Sequence, residues 1–138
     1  MKYNGVIERK LSLLADQVTL IRRNIGIPTY EEFDSNWLLV SGSERALQVA
    51  VEIMIDIAER ILALEKAGPA AYASDAMKKN EAIGVVKSAK TYEQMVKFRN
   101  LIVHEYEEID HEVLYDVIVN KLDDFDHFRD EVDTFNNK

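Results

Sequence analysis

The sequence has no cysteine, which excludes disulfides and thiolate metal sites and fits a reducing cytoplasm. It has only two prolines and five glycines, and none of either falls between positions 85 and 138. Long helices can therefore run there without an obvious breaker. No apolar run approaches the ~18 residues that a membrane span requires. Glu8, Arg9 and Lys10 stand where a secretory leader would need its apolar stretch. Strand-like alternation, internal repeats and low-complexity tracts are all missing. These absences predict an all-α protein, neither membrane-spanning nor secreted, with cytoplasmic localisation.

What is present fits that expectation. The chain has 138 residues, 47% apolar and 30% charged, the size and balance of one soluble domain over 1–138 with a core of its own. The net charge of −8 argues against a polyanionic partner, but the charge is unevenly placed. Positions 78 to 99 hold six Lys or Arg and two Glu, whereas positions 100 to 138 hold twelve acids and three bases. The sign reverses at the stretch FRNLIVHEY, residues 98 to 106. Two differently charged solvated faces would produce the same pattern.

The helical period dominates the rest. Ile7, Leu11, Leu14, Val18 and Ile21 trace one face of a first helix, ended by Gly26 and Pro28. Thr29-Tyr30-Glu31-Glu32 has the pattern of a capping box and predicts a short helix through Phe33. A long helix follows, with Ser43 expected to cap it and Gly68-Pro69 to stop it. Leu47, Val51, Met54, Ala58 and Ile61 form one stripe on this helix, and Val49, Ile53 and Ile57 a second. Such a helix needs cover on more than one side and belongs centrally in a bundle or against a second subunit. Residues 70 to 90 predict a loop and a short helix, and Thr91 opens the helix that carries the motif. Asp110 is placed to cap a last helix in which Leu114, Ile118, Leu122, Phe125, Phe128, Val132 and Phe135 recur every three or four residues.

The motif sets Arg99, Asn100, His104 and Tyr106 within eight residues. On an ideal helix Arg99 and Tyr106 share a face, Asn100 and His104 share another, and Arg99 and His104 lie about 140° apart. One regular helix does not aim both at one atom. Either the helix loosens before His104, or two copies meet across a symmetric interface. Arginine offers a permanent positive fork suited to phosphate oxygens, and histidine moves protons near neutral pH. Together they suit RNA cleavage without metal. His104 would transfer protons as the ribose 2′-hydroxyl attacks, Arg99 would steady the charge on the phosphorus centre, and Asn100 and Tyr106 would orient. By spacing alone, Arg-x4-His also arises by chance, and a histidine near a helix end is often no more than a cap.

The run Arg99-Asn100-Leu101-Ile102-Val103-His104-Glu105-Tyr106, followed by Ile109-Asp110, resembles the Arg-x4-His-x-Tyr signature of HepT-type toxins in the HEPN superfamily. SERALQVAVEIMIDIAERI is similar to the second helix of that family, and the likeness spans residues 7 to 133. Residues 68 to 90 depart from it, being shorter and richer in Ala and Lys than the family's apolar third helix. The resemblance implies an up-and-down HEPN-type bundle, homodimeric, with a composite ribonuclease site of Arg99 and His104 supported by Asn100. It implies the toxin of a type VII HepT/MntA toxin–antitoxin system, acting on tRNA or mRNA with no cofactor. The MntA-type nucleotidyltransferase antitoxin would transfer AMP to Tyr106, placing negative charge and bulk beside Arg99. Two other readings remain: a non-catalytic HEPN module that binds nucleotide or supports a partner nucleotidyltransferase, and a purely structural dimeric bundle.

Several further residues invite a role. Glu52 and Asp56 share a face and either approach the motif or pair with Arg60 or Arg45. Lys78, Lys79, Lys87, Lys90 and Lys97 are candidates for RNA phosphates. His111 and His127 read as solvated. Asp123, Asp124, Asp126 and His127 mimic a metal cluster, yet consecutive helical residues point different ways, so no metal site is expected. The phenylalanines read as core, and Trp37 as core or interface.

Overall fold

The computed structural model describes residues 3–104 and 109–138, with the backbone alone at His104. The described residues form helices and no strand: α1 (Val6–Asn24), α2 (Tyr30–Asp34), α3 (Trp37–Leu64), α4 (Ala73–Ala82), α5 (Lys90–His104), α6 (His111–Asn120) and α7 (Asp123–Asn136). The five apolar residues of α1 are all buried, as their spacing predicts. The capping box before α2 is made in both directions. Thr29 Oγ1 accepts from the Glu32 amide at 3.2 Å, and the Thr29 amide donates to Glu32 Oε1 at 3.4 Å. This fixes the turn that delivers Phe33 into the core.

The central place of α3 follows from its two-sided apolar pattern. It packs against α1, α2, α4, α5 and α6, while α7 covers α1 and α5. Leu47, Met54, Ile57 and Ile61 are fully enclosed, each contributing roughly 1.5–3 kcal/mol of burial. Val49 and Ile53 are only half-buried, so the second stripe is a partial one. The start of α3 differs from expectation. Asn36 is the cap, its Oδ1 accepting from the Leu39 amide at 3.0 Å. Ser43 lies inside the helix, buried, with no partner for its hydroxyl among the described residues. The first turn was hidden because Trp37 and Leu38 are apolar but exposed, so the core period does not mark them.

The end of α3 also comes earlier than Gly68-Pro69. Lys66, at φ 54°, closes it: the Ala67 amide reaches Leu62 O at 2.9 Å and the Lys66 amide reaches Ala63 O at 3.2 Å. This is the Schellman pattern with a lysine where glycine is favoured. Gly84 (φ 85°) closes α4 in the same way, with bonds from Val85 to Asn80 O and from Gly84 to Glu81 O.

The expected last helix is two helices. Asp110 caps the first as predicted, Oδ1 accepting from the Glu112 amide at 2.8 Å. The chain then breaks at Lys121-Leu122 without Pro or Gly. Asp123, Asp124 and Asp126 occupy the first turn of α7, where carboxylates meet the positive end of the helix dipole. Leu114, Ile118, Leu122, Phe125, Phe128, Val132 and Phe135 are nevertheless all buried, so the apolar register runs through the break.

Candidate active site

α5 remains helical through His104, so the helix does not loosen between the two residues of interest. Its inward face carries Tyr92, Met95 and Val96, all buried. Arg99, seven residues after Tyr92, belongs to that face by register and is half-buried. Its Nε is buried without a hydrogen-bond partner, and the guanidinium makes no ion pair with any described residue. A buried donor left unpaired is costly and calls for a partner or a role. Asn100 is exposed beside it. Position 104 falls on a different face, in register with exposed Lys97 and Lys90. Tyr106 lies outside the described residues.

The chain resumes at buried Ile109, and the segment after it is strapped to α2. His111 Nδ1 lies 2.7 Å from Asp34 Oδ1, and Tyr115 donates to Pro28 O at 2.7 Å. Tyr30 meets Tyr115 edge-on at 5.3 Å, and Phe33 packs on the same ring. The Tyr30 phenol is held above its ordinary range, first by burial and then by the carboxylates of Asp34, Glu112 and Asp110. His111 is thus a paired, largely buried group rather than a solvated one. The pairing brings together residues 77 apart in sequence, and no local pattern announces it.

Other sequence assignments are revised. Asp56 pairs with Lys10 at 2.5 Å, and Glu52 accepts from Gln48 at 3.0 Å, so neither holds Arg45 or Arg60. Lys78 faces Glu93 at 3.5 Å, and Lys79 donates to Pro69 O at 2.9 Å. Lys87, Lys90 and Lys97 are exposed and make no ion pair with a described residue. Asp123 and Asp126 hold Arg22 at 2.9 and 2.7 Å, while His127 is exposed. Burial pushes the Asp124 carboxyl up. Among the described residues no three His, Asp or Glu side chains cluster as a metal cage. The phenylalanines are core, and Trp37 is exposed. No helix of the described residues is long and apolar enough to cross a membrane.

An all-helical arrangement of the described residues, with Arg-x4-His at the end of α5, defines the class to which comparison then gives a family. The chain belongs to the HepT-like ribonuclease family, whose model, "Ribonuclease HepT-like", matches residues 14–132. No curated protein matches the chain. Among solved structures it is similar to a tri-AMPylated Shewanella oneidensis HEPN toxin in complex with MNT antitoxin. That likeness has a TM-score of 0.84 at 23% identity, covering 93% of this chain and 96% of that one. A toxin–antitoxin structure with AMP-PNP gives a TM-score of 0.85 at 22% identity, covering 94% and 98%. A toxin–antitoxin MntA-HpeT structure with a tyrosine-to-alanine substitution gives 0.84 at 22%, covering 93% and 98%. At these identities the likeness establishes the HEPN fold.

Proposed function

We propose that this protein, acting as one domain over 1–138, is a toxin: a metal-independent endoribonuclease that cuts tRNA or mRNA in the cytoplasm and is neutralised by an MntA-type nucleotidyltransferase. Two copies pair so that Arg99 of one and His104 of the other meet at one scissile phosphodiester. His104 moves the proton as the 2′-hydroxyl attacks phosphorus and the bond to the 5′-oxygen breaks, leaving a 2′,3′-cyclic phosphate and a protonated 5′-hydroxyl, while Arg99 stabilises the charge that develops on the phosphate oxygens. Asn100 orients the phosphate. AMP transferred from ATP to Tyr106, with release of pyrophosphate, adds phosphate charge seven residues from Arg99 in sequence and occupies the cation that RNA requires.

The observation that carries this reading is the half-buried guanidinium of Arg99, its Nε unpaired, inside the family's motif. The AMPylated toxin and the MNT antitoxin named for a structural neighbour support the mode of control. Expression without antitoxin should arrest growth and degrade RNA, with chelator present. Arg99→Ala and His104→Ala should each relieve arrest while the protein stays folded. If both variants stay as toxic as the parent, the catalytic assignment is wrong, and a non-catalytic module becomes the better reading. Intact-mass measurement after incubation with the partner nucleotidyltransferase and ATP should show whole AMP units, lost in Tyr106→Phe.

A further inference from the structure

The outward side of α5 is lined differently from its inward side. Lys90, Gln94, Lys97 and Leu101 follow one another at spacings of four, three and four, all exposed, and position 104 continues the series three residues on. No acid interrupts that stripe, although the chain as a whole carries −8. The only carboxylate in the first turn of α5, Glu93, faces Lys78 instead.

Beside the stripe, α5 and α6 leave a groove of about 290 Å³. Lys97, Gln94 and Lys121 stand along it, and Phe98, Leu101 and Val113 give it an apolar side. Leu101 and Val113 are 54% and 43% exposed, so apolar surface faces solvent where cations flank it. That volume matches the small end of ligand pockets, roughly 300 Å³, the scale of one nucleoside. Lys121 is drawn toward Asp116 at 3.5 Å, and Asp124 stands at the groove's far end, its carboxyl raised chiefly by burial.

We propose that this α5–α6 groove is the binding track for the single-stranded RNA segment that leads to the scissile phosphate. The inference rests on the ribonuclease reading above. Lys90 and Lys97, roughly 10 Å apart along the axis, hold successive stretches of phosphate backbone. Leu101 and Val113 receive the face of one base, without reading its edges. Single strands are commonly held this way, by a charged track with an apolar platform, and sequence preference is then weak. Position 104 lies two turns beyond Lys97 on the same face, so a strand seated on the lysines runs toward the catalytic histidine.

The test uses the full-length protein in a His104→Ala background, so that RNA is bound but not cut. A fluorescein-labelled ten-nucleotide single-stranded RNA of mixed sequence is titrated, reading anisotropy at several salt concentrations. Lys90→Gln/Lys97→Gln should raise Kd about tenfold and flatten the log Kd–log salt slope by roughly 1.4, about 0.7 for each phosphate of a single strand that is no longer neutralised. Lys97→Arg should retain binding, and Leu101→Ser should raise Kd without altering the slope. In the active protein, the double lysine variant should raise KM while leaving kcat within twofold. An unchanged Kd and slope in the double variant, or no binding by the parent, overturns the proposal. So does a Leu101→Ser variant that changes sedimentation but not RNA affinity, which would mark the groove as an interface between two copies. Failure of the ribonuclease reading shows separately, as cleavage that survives Arg99→Ala and His104→Ala.

Discussion

Arg99→Met should make the protein more stable and silence it together. The guanidinium sits on the buried face of α5 with its Nε unpaired and no ion pair to a described residue. A buried donor left without a partner costs about 1–3 kcal/mol. Methionine keeps most of the unbranched stem that packs on the helix face and discards the polar head. Arg99 is only half-buried, so part of its head is already solvated, and the net gain should be about 1 kcal/mol. For a chain of this length that is roughly a 4 °C rise in Tm. Urea denaturation and thermal melts, run at one fixed protein concentration so that association does not confound them, would measure it. Growth arrest on expression should disappear in the same variant. A loss of more than 1 kcal/mol would refute the reasoning, because it would mean that Arg99 makes interactions the fold needs.

Three further outcomes follow from the packing. Lys66→Gly should stabilise by about 1 kcal/mol, read as a higher urea midpoint, because a non-glycine residue at φ 54° bears the left-handed penalty in the Schellman turn. The Tyr92 phenol, which donates to Glu131, is raised above its ordinary value of 10.0, first by burial and then by that hydrogen bond and carboxylate. The folded protein keeps a proton that the unfolded chain releases, so this stability is fully present below pH 10 and declines as pH rises beyond it. Tyr92→Phe should flatten the fall in urea midpoint between pH 9 and pH 11, with Tyr3 and Tyr30, both raised likewise, contributing to the slope that remains. Arg22→Ala should cost under about 1 kcal/mol although it removes the ion pairs with Asp123 and Asp126, because both are solvent-screened; a loss above 2 kcal/mol would contradict that.

Local chemistry made much of the fold readable. The capping box at Thr29, the cap at Asp110 and the five-residue stripe of α1 each depend on neighbours within one or two turns. The two-sided pattern of α3 announced its central place because a helix cannot leave two apolar faces wet. What stayed hidden was either cross-chain or contrary to the usual markers. Trp37 and Leu38 begin α3 while facing solvent, so core periodicity missed that turn and promoted Ser43 to a cap. α6 and α7 separate with no Pro or Gly, and the only trace is an acidic run suited to a helix N-terminus. The His111–Asp34 and Lys10–Asp56 pairs join distant segments, and composition is silent about them. At the site, neither the half-burial of Arg99 nor its lack of an ion pair among the described residues was legible in the motif, because both depend on the elements packed around α5.

The unbroken course of α5 bears directly on how many chains one active site needs. Arg99 and position 104 differ by about 140° around the axis and roughly 7.5 Å along it. One is in register with buried Tyr92 and the other with exposed Lys90 and Lys97. On the proposed reading, with no unwinding of α5 between the two positions, a phosphate that meets both groups draws them from two copies related by a twofold axis. Arg99→Ala and His104→Ala proteins, each inactive, then become complementary. A mixed dimer keeps one intact pairing and loses the other, and random exchange makes half the dimers mixed, so unfolding and refolding an equimolar mixture should restore roughly a quarter of the parent's cleavage rate. Cleavage at background level in a mixture shown to contain mixed dimers would place both groups of each site on one chain.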